Sequence, residues 1–382
     1  MWTKSRVRTR GIVAGMALAI VMTAGAAWAD VSTERPSSIL MLPKIVADGT
    51  RDTLIEISNT SNTLVNAHCY YVNGAPQDPT QPPGPTNPPL WQEFDFFLFL
   101  TRQQPTQWLL SVGRDVDPTD DPGSEFAGID PGLIPPAVAG FQGELVCVQV
   151  DGSGSPIGGN ALTGSATLIG PDTDSSKYNA IGVAGLDVQE DPNLALDDTE
   201  YASCPNTLGF THFAQGVEDP FLGAGSAVVS RLTLVPCSHD FENGIPANVG
   251  VTIFSFDEFE GRISGNINFT CRFDADLDDA LQVSGDPFGP TGGAVFGTWK
   301  YSRLEVSHVC TGGRNRGAVC SSDAQCLGGG TCDGVVGLVG VLESAHVRDD
   351  GAVTRSAQNL HALVSEPGAA IETVVLNLDD QQ

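Results

Sequence analysis

The chain has 382 residues, with 19 Lys+Arg against 46 Asp+Glu, a formal net charge of −27 and 41% hydrophobic residues. Such an acid excess repels phosphate backbones and anionic membranes, which excludes nucleic-acid binding. The apolar fraction is that of a globular protein, and the length suits two or three cores.

"MWTKSRVRTR" opens the chain with Lys4, Arg6, Arg8 and Arg10 and no acid, then an apolar stretch runs to Ala27-Trp28-Ala29. A basic start, an apolar run and A-x-A predict a signal peptide over 1–29, cut before Asp30. A membrane anchor is the competing reading, but the run is near the short limit for spanning and A-x-A follows it directly. The mature chain would be exported: extracellular, periplasmic or at the cell surface, with no membrane insertion after cleavage. Loss of the four cations takes the balance from −27 to −31, since 15 Lys+Arg face 46 acids.

Next comes "TLIEISNTSNTLVNAHCYYV" (53–72), read as a β-hairpin around an Asn-Thr-Ser-Asn turn. "PQDPTQPPGPTNPP" (76–89) carries seven prolines and reads as a semi-rigid loop. A third strand, "WQEFDFFLFLT" (91–101), places Phe94, Phe96, Leu98 and Leu100 on one face and Phe97 and Phe99 on the other. Further strands are expected in "WLLSVGR", "GFQGELVCVQVD" and "GSATLI". The second half adds "AVVSRLTLVPC", "GVTIFSFDEFEGRISGNINFTCRF", "AVFGTWKYSRLEVSHV", "GVVGLVGVLESAHV", "AQNLHALVSE" and "AIETVVLNL". No window keeps a 3.6-residue apolar period, so helix is minor.

Short strands with Gly- and Pro-rich turns predict an all-β protein of two Ig-like β-sandwich domains. The expected units are 30–172, with the Pro-rich loop, and 173–382, with a Cys-rich insertion at 309–334.

That insertion holds Cys310, Cys320, Cys326 and Cys332, spaced C-x9-C-x5-C-x5-C. Zinc modules begin with C-x2-4-C, which is absent here, so two disulfides are expected, with three pairings open. The module should sit at the tip of a connection between neighbouring antiparallel strands. Elsewhere Cys69–Cys147 is the expected bridge of the first half. Cys237–Cys271 is favoured in the second, leaving Cys204 unpaired.

The elements Cys310-Thr-Gly-Gly, Gly317-Ala-Val-Cys320, Ser322-Asp323-Ala-Gln-Cys326 and Gly329-Gly-Thr-Cys332 resemble a short four-cysteine module of exported bacterial proteins. The strand–turn–strand units look like those of exported Ig-like and adhesion-module sandwiches. The resemblance implies a secreted, disulfide-bonded protein and transfers no functional residue.

Catalytic patterns are missing: G-x-S-x-G and H-E-x-x-H do not occur. In "CSHD" the neighbouring Ser238, His239 and Asp240 alternate faces and cannot form a triad with one another. Glycosidase-type acid pairs arise by chance among so many carboxylates. Calcium is the one cofactor with a ligand pattern, at Asp115, Asp117 and Asp121 and at Asp274, Asp276 and Asp278, although neither loop is an EF-hand. Solvated acid is the competing reading of both. Trp91, Phe97, Phe99 and Trp108 offer a contact surface, with core packing as the alternative use of those rings.

The sequence therefore predicts a non-enzymatic secreted or cell-surface structural or interaction protein, without an obligate cofactor. Its partner would be an extracellular protein or glycan. A carbohydrate-binding module and an extracellular hydrolase with an unrecognised carboxylate pair are the alternatives.

Overall fold

A computed structural model describes residues 31–81, 87–115, 131–171, 174–213, 224–257, 259–277, 299–365 and 372–377. The signal-peptide segment, Asp117, Asp121 and Asp278 lie outside the described residues.

In chain order the first strands are β1 (Ile39–Ala47), β2 (Asp52–Asn59), β3 (Val65–Asn73), β4 (Gln92–Leu100), β5 (Pro105–Leu109), β6 (Phe141–Val150), β7 (Leu162–Ile169), β8 (Ser175–Asn179) and β9 (Ile181–Val183). Then follow β10 (Asn193–Ala195), β11 (Pro205–Phe213), β12 (Ala227–Pro236), β13 (His239–Asp240), β14 (Ile245–Pro246), β15 (Asn248–Asp257) and β16 (Arg262–Thr270). The last are β17 (Phe273–Asp276), β18 (Trp299–Val306), β19 (Leu338–Val347), β20 (Val353–Asn359), β21 (His361–Ser365) and β22 (Thr373–Val375).

The protein is all-β, but the expected pair of Ig-like β-sandwich domains is corrected. The strands form five small sheets, propeller-like in number and size. Their orders are β4-β3-β6-β1-β9, β5-β2-β7-β8, β10-β22-β13-β14, β16-β15-β18-β11-β21 and β17-β12-β19-β20. Strands of one sheet are interleaved along the chain with strands of another. The β10-β22-β13-β14 sheet includes a parallel pair, β13 with β22, that no hairpin pattern foretells.

Three large apolar clusters fill the space between sheets. One gathers Ile55, Ile57, Tyr71, Phe96, Leu98, Trp108 and Leu145. The second joins residues distant in sequence, including Met41, Tyr70 and Val146 with Val235, Phe241 and Val374. The third gathers Phe210, Leu232, Ile253 and Leu304. Alternation decides which cluster a residue joins: on β3, Cys69 and Tyr71 enter the first while Tyr70 and Val72 enter the second.

Two local expectations also change. β2 and β3 belong to different sheets, so 53–72 is an arch and not a hairpin. The Asn59 side chain holds its turn, donating to the carbonyls of Thr63 at 2.7 Å and Thr101 at 2.9 Å. β18 and β19 likewise lie in different sheets, so the cysteine module bridges sheets instead of capping an antiparallel pair. β15 and β16 do form the expected hairpin, where the Asp257 carboxylate accepts from the amides of Phe259 and Gly261.

Candidate functional site

A chain of polar and aromatic side chains runs through the second apolar cluster. On β3, His68 and Tyr70 share a face, and Asp95 of β4 stands opposite Tyr70 in register. Asp95 Oδ2 lies 2.8 Å from His68 Nε2, and the Tyr70 hydroxyl lies 2.9 Å from His68 Nδ1. A carboxylate accepts only, so the network assigns the proton to Nε2 and leaves Nδ1 to accept from the tyrosine. Tyr70 then stacks on Phe241 at 4.0 Å, Phe241 on His239 at 5.1 Å and His239 on Trp91 at 6.1 Å, with interplanar angles of 2°, 3° and 8°.

At the far end of this column Glu144 Oε2 stands 3.7 Å from His239 Nε2, with the two residues 1% and 2% exposed. Burial pushes the Glu144 carboxyl well above its usual range, with Arg272 opposing. Burial pulls the His239 imidazole down to about 3, against a smaller upward effect of the Pro236 carbonyl. In both, burial works against the charged form, which a low-dielectric interior disfavours. Cys271 follows β16 in a left-handed backbone conformation, φ 67°, and its thiol is pushed up by burial and then by Glu144.

A second buried group is ionic. Lys44 Nζ lies 3.2 Å from Glu343 and 3.6 Å from Asp274. Arg51 reaches Glu343 at 2.5 Å, Arg231 reaches Asp274 at 2.5 Å, and Arg272 also pairs with Asp274. Burial alone would raise the Asp274 carboxyl, but Arg272, Lys44 and Arg231 hold it far below its usual range. Two of the expected calcium ligands are engaged with cations of the chain: Asp274 faces three, and Asp276 pairs with Arg231 at 3.2 Å. Asp115 is exposed and gathers no second described acid of its loop.

The cysteine expectations divide. Cys69–Cys147 forms across β3 and β6, whose residues 69 and 147 are register partners. Cys237–Cys271 does not form. Cys204, at the start of β11, bridges to Cys237, at the end of β12, across a Cα separation of 6.4 Å, and Cys271 is the free, buried thiol. Cys271 follows β16, where its amide donates to the Ala247 carbonyl and its sulfur lies beside Gly74. In the module the pairs are Cys310–Cys326 and Cys320–Cys332. Four disulfides in one chain belong to an oxidising extracellular or periplasmic environment. The clusters with metal-like spacing, Cys310/Cys320/Cys326 and Cys204/Cys237/Glu372, have their sulfurs in these bridges and offer no thiolate to a metal.

The proposed aromatic contact surface is also redistributed. Trp108 is 3% exposed and donates its indole N–H to the Tyr71 hydroxyl at 2.6 Å, so it is core. Phe97 stacks on His68 at 4.2 Å, Phe99 lies beside it, and Trp91 covers His239. Of the four rings none stands free in solvent.

Sequence reasoning passed over His68, Tyr70, Asp95 and Glu144. The signal available was an i, i+2 His–Tyr pair in a strand, but the acid that orients it lies in a neighbouring strand whose register the sequence does not give. Elsewhere His212 Nε2 meets Ser302 Oγ at 2.8 Å, and Ser302 donates to Ser255 at 3.1 Å, all buried. A cleft of about 420 Å³ among the described residues is walled by Val31, Ile181, Leu208, Val339 and Leu360, with His361 at its side.

Comparison with known proteins gives no matching family model and no matching curated protein.

Proposed function

We propose that this is an exported, non-catalytic structural or interaction protein, cut after Ala29 and held in shape outside the cytoplasm by its disulfides. One observation carries the reading: the histidines of the described clusters that resemble catalytic machinery are buried, and only Asp95, its side chain 27% exposed, reaches toward solvent. His68, His239 and Glu144 are each 2% exposed or less, as are His212 and Glu372. A general acid or nucleophile must come within hydrogen-bond reach of its substrate, and these groups are packed against aromatic rings and strands instead. The polar column and the ion network act as internal fixings that set the relative positions of sheets. Partner contact falls to the outer surface, where the acidic charge favours neutral or basic extracellular partners.

The alternative of stacking sugars on aromatic rings finds no free ring in Trp108, which is buried, while Trp91 is half-buried and covers His239 with one face. The test is an assay of the mature protein from Asp30 on chromogenic esters, glycosides and peptides. No turnover above the substrate blank is expected. Saturable turnover lost on heat denaturation would contradict the proposal.

A further inference from the structure

We propose that β16 is a pairing edge through which two copies of this chain join as a two-fold dimer, β16 against β16 and antiparallel. The strand stands at the end of its sheet and pairs only with β15 among the described residues. Its ladder shows which backbone groups are left over. The Cys271 amide donates to the Ala247 carbonyl, and the Asp257 amide donates to the Gly261 carbonyl. Bonded pairs alternate along an antiparallel ladder, so the odd-numbered residues of β16 turn their amides and carbonyls to β15 and the even-numbered ones turn theirs outward. The Thr270 carbonyl accepts from the Arg272 amide at 2.8 Å. The outward groups of Arg262, Ser264, Asn266 and Asn268 have no backbone partner among the described residues, and their side chains are exposed.

Other sheet edges are guarded by cover, charge or short length, the usual defences against stray pairing. Ser32 bridges to Gly182 of β9, and the Phe99 amide of β4, a strand that also carries Glu93 and Asp95, donates to the Pro131 carbonyl. β17 has four residues, two of them acids. β16 instead runs for nine residues without Pro, Lys or acid.

Charge and symmetry select a second copy as the occupant. Chains with a net charge of −27 repel one another over most of their surface, and a strand free of acid is where that repulsion is least. Full overlap of Arg262–Thr270 with its copy puts the two-fold axis at Asn266. Ser264 then stands opposite the partner's Asn268, and Arg262 opposite the partner's Thr270, with no like charges opposed. On the inner face Ile263 meets the partner's Phe269. Within one copy both side chains are only partly buried against the third apolar cluster, so each gains cover from the other. The contact is isologous and covers both free edges, so assembly stops at two. The proposal does not depend on the absence of catalysis.

The test is sedimentation of the mature, disulfide-bonded protein over a dilution series, with amide hydrogen exchange measured at both ends of the series. The expected result is a dimer that dissociates on dilution, with exchange of the Arg262–Thr270 segment slowed in the dimer alone. N266P removes the outward amide at the axis and leaves the ladder to β15 intact, while N266E sets two carboxylates against each other there. Each should weaken the dimer by more than about tenfold with all four disulfides kept. A monomer at every concentration, a dimer whose 262–270 segment exchanges as fast as in the monomer, or a dimer of unchanged affinity in both variants would overturn the proposal. The exchange pattern of the unmutated protein decides the matter if a variant fails to fold.

Discussion

Trp108 donates its indole N–H to the Tyr71 hydroxyl at 2.6 Å inside the first core, joining β5 of one sheet to β3 of another. Phe96 packs edge-on against the Trp108 ring at 6.1 Å. The contact is a fastening between two layers. W108A should therefore cost about 3–5 kcal/mol, the range for truncating a large buried aromatic. Y71F, which leaves the indole donor unsatisfied, should cost about 1–3 kcal/mol. Urea midpoints at neutral pH measure both. A W108A protein as stable as the parent would put the ring at the surface after all.

Removing one partner from the ion network should be severe. Glu343 is 4% exposed on its side chain and faces Lys44, Arg51 and Arg355. E343Q leaves Lys44 buried beside a single remaining carboxylate, Asp274, and should lose about 3–5 kcal/mol. K44M/E343L removes both buried charges and should recover at least half of that loss, as buried pairs replaced by apolar side chains commonly do. A double variant no better than E343Q would show that the pair contributes through geometry other than charge.

Acid sensitivity follows from His212. Burial holds its imidazole at about 4, below the usual 6.5, with the Phe213 carbonyl opposing and Lys300 reinforcing. The unfolded chain takes up the proton first, so the His212 contribution to stability is full well above pH 6.5 and falls as pH drops toward 4. The slope is at most about 1.4 kcal/mol per pH unit. H212N removes this proton uptake. The stability gap between parent and H212N should thus narrow from pH 7.5 to pH 5, as read by denaturant midpoints. A gap that widens toward acid would reverse the sign and require a charged, paired imidazole.

Cysteine chemistry gives a further check. C204A/C237A should cost about 2–5 kcal/mol, as loss of a native disulfide does. In C204A alone, Cys237 and Cys271 should both remain thiols in the folded protein, because the Cys271 sulfur lies beside Gly74. Recovery of a Cys237–Cys271 peptide from native C204A would contradict that geometry.

Much of the strand content was legible. The alternation of Ile55 and Ile57, the aromatic run 94–99 and the β15–β16 hairpin are local patterns, and local patterns survive into the structure. β1 escaped notice because Pro43 interrupts "ILMLPKIVA", and the ladder does shift register between Leu42 and Ile45. What could not be read was which sheet each strand joins. That choice turns 53–72 from a hairpin into an arch and brings Cys204 to Cys237. It also carries Glu144 to His239, a pairing 95 positions apart in sequence that no spacing rule encodes.

The central claim is a sealed, disulfide-fastened interior, and thiol-accessibility mapping by mass spectrometry tests it most directly. The protein would be alkylated while folded and again in denaturant without reductant, then digested to locate its bridges. The account predicts Cys69–Cys147, Cys204–Cys237, Cys310–Cys326 and Cys320–Cys332, with Cys271 labelled only after unfolding. Rapid labelling of Cys271 in the folded protein, or its recovery bonded to Cys237, would contradict it.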